Sequence, residues 1–156
     1  GAILREVEAA ADLLERDFEI PAEVWSVTSY TELRREGLAI EREARLHPDA
    51  ERRKTWVERC LGDSNAPVVA ASDYMKALPD GIRAWVPGRF EVLGTDGFGR
   101  SDYRRHLRRF FEVDRHHVVV AALHALAQDG EVDVAAVKEA IAKYEIDPDA
   151  PDPVTV

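Results

Sequence analysis

An α/β fold, a largely parallel sheet covered on both faces by helices, is what this 156-residue chain predicts, and three observations carry the prediction. Segments of helical period alternate with short β-branched runs, the pattern of parallel strands joined by crossover helices. The run Val118–Leu123 is apolar on nearly every side of a helix, so it belongs in an interior. At 46% hydrophobic and 33% charged residues the composition is globular, and the length suits one domain.

From Ile3 to Phe18, Ile3, Leu4, Val7, Leu14 and Phe18 recur at helical spacing, while Arg5, Glu6, Glu8, Asp12 and Glu15 fall outside the apolar stripe. Beyond Pro21, the run Glu23–Thr28 is β-branched and aromatic and reads as a strand. Thr31–Glu36 is helical with Gly37 as its stop, and Leu38–His47 forms a second helical piece that Pro48 ends. Arg52–Leu61 reads as one more helix. Pro67–Ala71 is a second, wholly apolar strand, followed by a short helix between Tyr74 and Trp85 that Pro79 opens or interrupts. Phe90–Thr95 is the third strand. Ser101 or Asp102 can cap a helix running to Phe111, Asp114 the next, and Asp133 the last, in which Val134, Val137, Ile141 and Tyr144 keep helical spacing. The domain is therefore expected over 1–146, with 147–156, which holds three prolines, as an extended tail. Three strands are few for such a sheet, and α/β units usually open on a strand, so a further strand is expected upstream of Gly1.

Several function classes fall away on composition. Thirty acidic against 21 basic residues leave a net charge of −9, which repels a phosphate backbone, so nucleic acid is not an expected partner. No apolar run is long enough to span a membrane. A single cysteine, Cys60, and the absence of a signal-peptide pattern favour the cytoplasm.

Ligands of open α/β sheets gather beyond the carboxyl ends of strands. Those ends read Thr28-Ser29, Ser72-Asp73 and Thr95-Asp96, which makes them candidates for a shared rim, although such residues also serve routinely in turns and caps. The stretch VLGTDGFGRSD, Val92–Asp102, places Gly94, Gly97 and Gly99 as GxxGxG, matching neither the dinucleotide turn nor the P-loop. Asp96 sits where a phosphate would need positive charge, so a tight turn approached closely by a neighbouring surface is the better reading. Arg100, Arg104, Arg105, Arg108 and Arg109 form a basic run in an acidic chain, either a solvated helix paired with local acids or a contact for an acidic partner surface. His116 and His117 are adjacent, hence on different sides of a helix, and lack metal-ligand spacing. No complete catalytic motif is present.

GAILREV (Gly1–Val7), VWSVTSYTELRREG (Val24–Gly37), RLHP (Arg45–Pro48), ASDYMK (Ala71–Lys76), VLGTDGFGRSD, RRFFEVD (Arg108–Asp114) and the terminal YEIDPDAPDP resemble, in order and spacing, the C-terminal domain of the homodimeric-type pyruvate dehydrogenase E1 component, in the transketolase superfamily. The resemblance spans essentially the whole chain. It implies a three-layer α/β/α domain with a mostly parallel mixed sheet, the last of a chain several times longer, with the preceding strand just before Gly1. It also implies an enzyme that decarboxylates pyruvate and transfers acetyl to lipoyl groups of the E2 dihydrolipoyl acetyltransferase, using thiamine diphosphate and Mg held by the other domains at a dimer interface. None of those cofactor motifs occurs here, so no catalytic, cofactor-binding or metal residue carries over, and the chain alone is expected to be inactive. What remains is a contact role for the rim, with Ser72, Asp73, Thr95, Asp96, Phe98, Gly99, Arg100, Ser101 and Asp102 as candidates and the other E1 domains and the second E1 subunit as partners. A free-standing ligand- or protein-binding module of the same fold is the alternative. His116-His117 and the charged loop Pro48–Lys54 depart from the family pattern.

Overall fold

Apolar alternation along two short strands decides the architecture. The computed structural model describes residues 1–156 and orders them as α1 (Leu4–Phe18), α2 (Tyr30–Leu46), α3 (Trp56–Leu61), β1 (Val68–Ala71), α4 (Ala77–Asp80), a 3-10 turn (Arg83–Trp85), β2 (Phe90–Leu93), α5 (Arg104–Phe110), α6 (Arg115–Gln128) and α7 (Val134–Lys143). β1 and β2 pair in parallel, Val68 opposite Phe90 and Ala71 opposite Leu93. Successive side chains point to opposite faces of a sheet. Accordingly Val69, Ala71 and Leu93 pack against Ala10, Leu14, Val118, Leu123 and Val137 of α1, α6 and α7. Val68, Ala70, Phe90 and Val92 pack on the other side, around Val57, Ile82 and Trp85. Helices thus cover both faces, the three layers the sequence predicts. Val119, Leu123 and Ala125 of α6 are fully buried, and α6 packs on α1, on α7 and on both strands.

Four sequence expectations change. Glu23–Thr28 forms no strand: between Pro21 and Thr28 no backbone group bonds to another, and every residue there is exposed, because strand propensity yields a strand only where a neighbour supplies the ladder. The sheet accordingly has two strands, parallel as expected, where three were read from the sequence. Gly37 stops nothing, since α2 runs unbroken through it. The Trp85 ring occupies the space a Cβ there would need. The third helix begins at Trp56 rather than Arg52, because Thr55 and Glu58 form a reciprocal capping box while Arg52 turns aside to pair with Glu41 at 2.7 Å and Glu58 at 3.1 Å.

The caps at Asp114 and Asp133 form as expected, accepting from the backbone N–H of His117 and Ala135. Val134, counted as apolar stripe, is exposed, and Val137 and Ala140 bury that helix instead. The tail is not free. Pro153 is buried, and Asp152 closes a turn by accepting from the N–H groups of Val154 and Thr155.

Candidate functional site

Parallel strands bring their carboxyl ends to one side, and here the two loops leaving them are laced together. Ser72 N–H donates to the Leu93 carbonyl at 3.0 Å, Thr95 N–H donates to the Tyr74 carbonyl at 3.0 Å, and Lys76 N–H donates to Asp96 Oδ1 at 3.0 Å. Tyr74 N–H bonds Ser72 Oγ at 3.1 Å. Ser72, Asp73, Thr95 and Asp96 therefore share one rim, as their positions predict. The Ser72 hydroxyl and the Asp96 carboxylate fix the loops by accepting from these backbone N–H groups. Thr28 and Ser29 do not join them as the end of a paired strand; Ser29 Oγ instead accepts from Glu32 N–H at 3.2 Å and caps α2.

The glycine turn rises from this rim. Gly97 adopts φ 98°, and a Cβ built there would lie 2.6 Å from the Pro153 carbonyl oxygen. The neighbouring surface that demanded glycine is thus the chain's own tail. Beyond Gly97 the loop projects outward: Phe98 is 81% exposed, Tyr103 80%, and Gly99 and Ser101 are open to solvent. Neither Ser101 nor Asp102 caps α5. Tyr103 takes the N-cap position with no side-chain bond, while Asp102 Oδ1 accepts from Tyr103 N–H and lies 3.2 Å from His106 Nδ1. Arg100 lies over the Phe110 ring at 4.1 Å. The result is a loop pinned at its base and bearing two exposed aromatics beside the exposed, acid-free Arg104 and Arg105. Such an arrangement can grip another protein surface.

The basic run divides. Arg108 Nη1 donates to Glu6 Oε1 at 2.8 Å, and Arg115 donates to Glu6 Oε2 through Nε at 2.9 Å and its own N–H at 3.1 Å. Arg109 donates to the carbonyls of Tyr144 and Glu145. Of the five arginines of the run, Arg108 and Arg109 are therefore internal ties, Arg100 covers Phe110, and Arg104 and Arg105 remain outside. Glu6, assigned to the solvent side of its helix, is 6% exposed. Its place was legible: Ile3, Glu6, Ala10 and Leu14 follow helical spacing on the buried face.

His116 and His117 meet different partners. His117 Nδ1 lies 2.7 Å from Asp114 Oδ1, and the His116 ring stacks on Tyr144 with centroids 4.6 Å apart. Burial pushes the Asp114 carboxyl up, but its bonds from His117 outweigh that and hold it low; burial lowers His116. Nowhere do three His, Cys, Asp or Glu side chains gather as a metal-binding group. The rim presents Asp73 and Asp96 where a diphosphate would need cations, so these residues do not fit a diphosphate. No helix is long and apolar enough to cross a membrane.

Comparison with known proteins agrees with this geometry. The chain is 59% identical over 155 residues to the pyruvate dehydrogenase E1 component of Pseudomonas aeruginosa, covering 99% of this chain and 18% of that protein. It is 49% identical over 154 residues to the Escherichia coli E1 component, covering 98% of this chain and 17% of the relative, and 49% identical over 147 residues to that of Mycolicibacterium smegmatis, covering 94% and 16%. It thus spans less than a fifth of the curated relatives it matches and corresponds to their transketolase-like C-terminal part. The model of the transketolase-like TK C-terminal domain matches residues 1–114, and the chain belongs to that family.

Proposed function

We propose that this chain is the C-terminal domain of a thiamine diphosphate-dependent pyruvate dehydrogenase E1, which decarboxylates pyruvate and passes acetyl to E2 lipoyl groups. The observation that carries the reading is 59% identity across 99% of the chain to a protein of that name. Thiamine diphosphate supplies the electron sink of such an enzyme. On this reading the cofactor and its Mg are held elsewhere in a cytoplasmic homodimer, and residues 1–146 with their 147–156 tail contribute contacts to the other E1 domains and to the second subunit. The full-length protein is expected to reduce an artificial electron acceptor in a pyruvate- and thiamine diphosphate-dependent assay, and the 156-residue chain to give none. Turnover by the purified chain, or a full-length protein inactive toward pyruvate, would refute the reading.

The exposed aromatic loop is where this role becomes specific. Phe98→Ala in the full-length enzyme is expected to weaken subunit assembly about tenfold or more, as truncation of an aromatic anchor does. Thiamine diphosphate affinity should change much less. Size-exclusion chromatography across a dilution series and a cofactor titration measure the two quantities. An intact dimer with lost cofactor binding would contradict the contact role.

A further inference from the structure

α1 and α2 lie on opposite sides of the sheet, and the outermost row of each carries a single sign of charge. Residues at steps of three and four share one face of a helix. On α2 such a row reads Arg35, Leu38, Arg42 and Arg45, all exposed and turned away from the face that buries Gly37 and Ile40. On α1 the corresponding row is Glu8, Asp12 and Glu15, again exposed and turned away from Ala10 and Leu14. The separation of charge has a structural cause. The acids of α2 are drawn to its flank, where Arg52 pairs with Glu41 at 2.7 Å, Arg53 with Glu43 at 2.6 Å and Arg59 with Glu36 at 3.4 Å. Within the basic row Arg35 meets its exposed neighbour Glu32 at 2.7 Å, while Arg42 and Arg45 have no acid. Beside the acidic row Arg16 turns to Asp17 at 2.8 Å, and Glu8, Asp12 and Glu15 stay unpaired. At the helical rise the two rows are roughly 15 and 10 Å long.

We propose that α2 of one copy docks on α1 of a second copy, guanidinium row against carboxylate row. Leu38, 49% exposed, adds apolar area between the arginines. Charge selects the occupant and its orientation. With a net charge of −9 one copy repels another over most of its surface, and attraction is left where an acidic row meets these arginines. The two faces belong to opposite layers, so the contact is heterologous: each copy carries one face of each kind, and the assembly grows as a chain instead of closing as a pair. A single exposed ion pair contributes little, but pairs held along one helix act together, in a contact that salt weakens. Neither row includes the rim or the Phe98 loop, so the contact stands or falls independently of the E1 reading and its turnover test.

Sedimentation velocity of the full-length protein over a concentration series should show assemblies larger than its basal oligomer at an ionic strength of about 0.01 M. None should remain at about 1 M, where the screening length falls to roughly 3 Å. Arg42→Glu with Arg45→Glu turns the basic row acidic, and Asp12→Lys with Glu15→Lys turns the acidic row basic. Each variant alone should self-associate at least about tenfold more weakly, because like charges then meet. Mixed in equal amounts the two should associate again, since the intact α1 row of the first meets the intact α2 row of the second. Recovery in the mixture also shows that neither variant lost association by misfolding. A parent protein without salt-sensitive assembly would overturn the proposal. So would variants that associate as the parent does, or a mixture that stays apart, the result expected if the arginine row served an acidic protein of another kind.

Discussion

Glu6→Ala destabilises the folded chain by about 3 kcal/mol, the lower end of the cost of breaking a buried ion pair, because its two arginines keep part of their surface in solvent. The side chain of Glu6 is 8% exposed, against 25% for Arg108 and 44% for Arg115. It accepts from both guanidinium groups and from the first N–H of α6, so one carboxylate from α1 joins α5 and α6 across more than a hundred residues of sequence. Removal leaves two cations facing each other and an orphaned helix N–H. Urea unfolding should show the loss in midpoint at constant slope, and the melting temperature should fall by about 10 °C for a chain of this size. A variant within about 0.5 kcal/mol of the parent would show that the pair merely decorates the surface.

The same carboxylate sets a pH dependence. Bonds from Arg115 lower the Glu6 pKa from its ordinary 4.5, against a smaller opposing effect of burial. A depressed folded-state pKa means that the unfolded chain binds more protons, so the contribution is full above about pH 4.5 and disappears as pH falls through the folded value. Asp17 behaves alike, held low first by Arg16 and then by Tyr144 and Lys143, although burial opposes them. Acid unfolding of Glu6→Ala should therefore begin from a lower stability but fall less steeply below pH 4.5, with Asp17, Asp114, Glu41, Glu43 and Glu58, all held low, supplying the remaining slope. An unchanged acid limb would mean that Glu6 titrates normally.

What the sequence disclosed follows the range of the interactions involved. Helix caps are local, and Asp114 and Asp133 could be assigned from their immediate neighbours. The wholly apolar run Pro67–Ala71 and the mainly apolar Phe90–Thr95 became the two paired strands because burial on both faces leaves a near-continuous signature. The rim joining Ser72 to Thr95 followed from parallelism alone. Glu23–Thr28 has the same β-branched character, yet its state depends on a backbone partner that composition does not reveal. Gly97 was legible as a point of close approach, but the approaching atoms come from Pro153, distant in sequence. Glu6 shows a different failure: its spacing announced burial, and its charge was allowed to overrule the spacing. The exposed Phe98 and Tyr103 lay inside the candidate stretch, but only the fold shows that the loop base is used up internally and its tip is free.

Gly37→Ala tests the reading of that glycine with a sign. On helix propensity alone alanine should stabilise the middle of α2 by about 1 kcal/mol. The structure predicts the reverse, because the added methyl would fall within the Trp85 indole ring, and Trp85 is only 4% exposed in the cluster with Ile82, Val57 and Phe90. Neither partner can yield cheaply. The glycine is fixed by helix backbone, and the ring is held by packing and by its Nε1–H donating to Glu41 Oε1 at 3.3 Å, a carboxylate that Arg52 also binds. Overpacking of this kind costs about 1–3 kcal/mol, so the net expected change is a destabilisation of about 1 kcal/mol once propensity is set against it. A Trp85→Leu background separates the causes: there the alanine no longer meets a ring, and the same substitution should become neutral or stabilising. Denaturant unfolding of the four proteins in that cycle gives the coupling directly. Equal costs in both backgrounds would mean that the contact between α2 and Trp85 does not set the identity of residue 37, and that the helix tolerates glycine there for another reason.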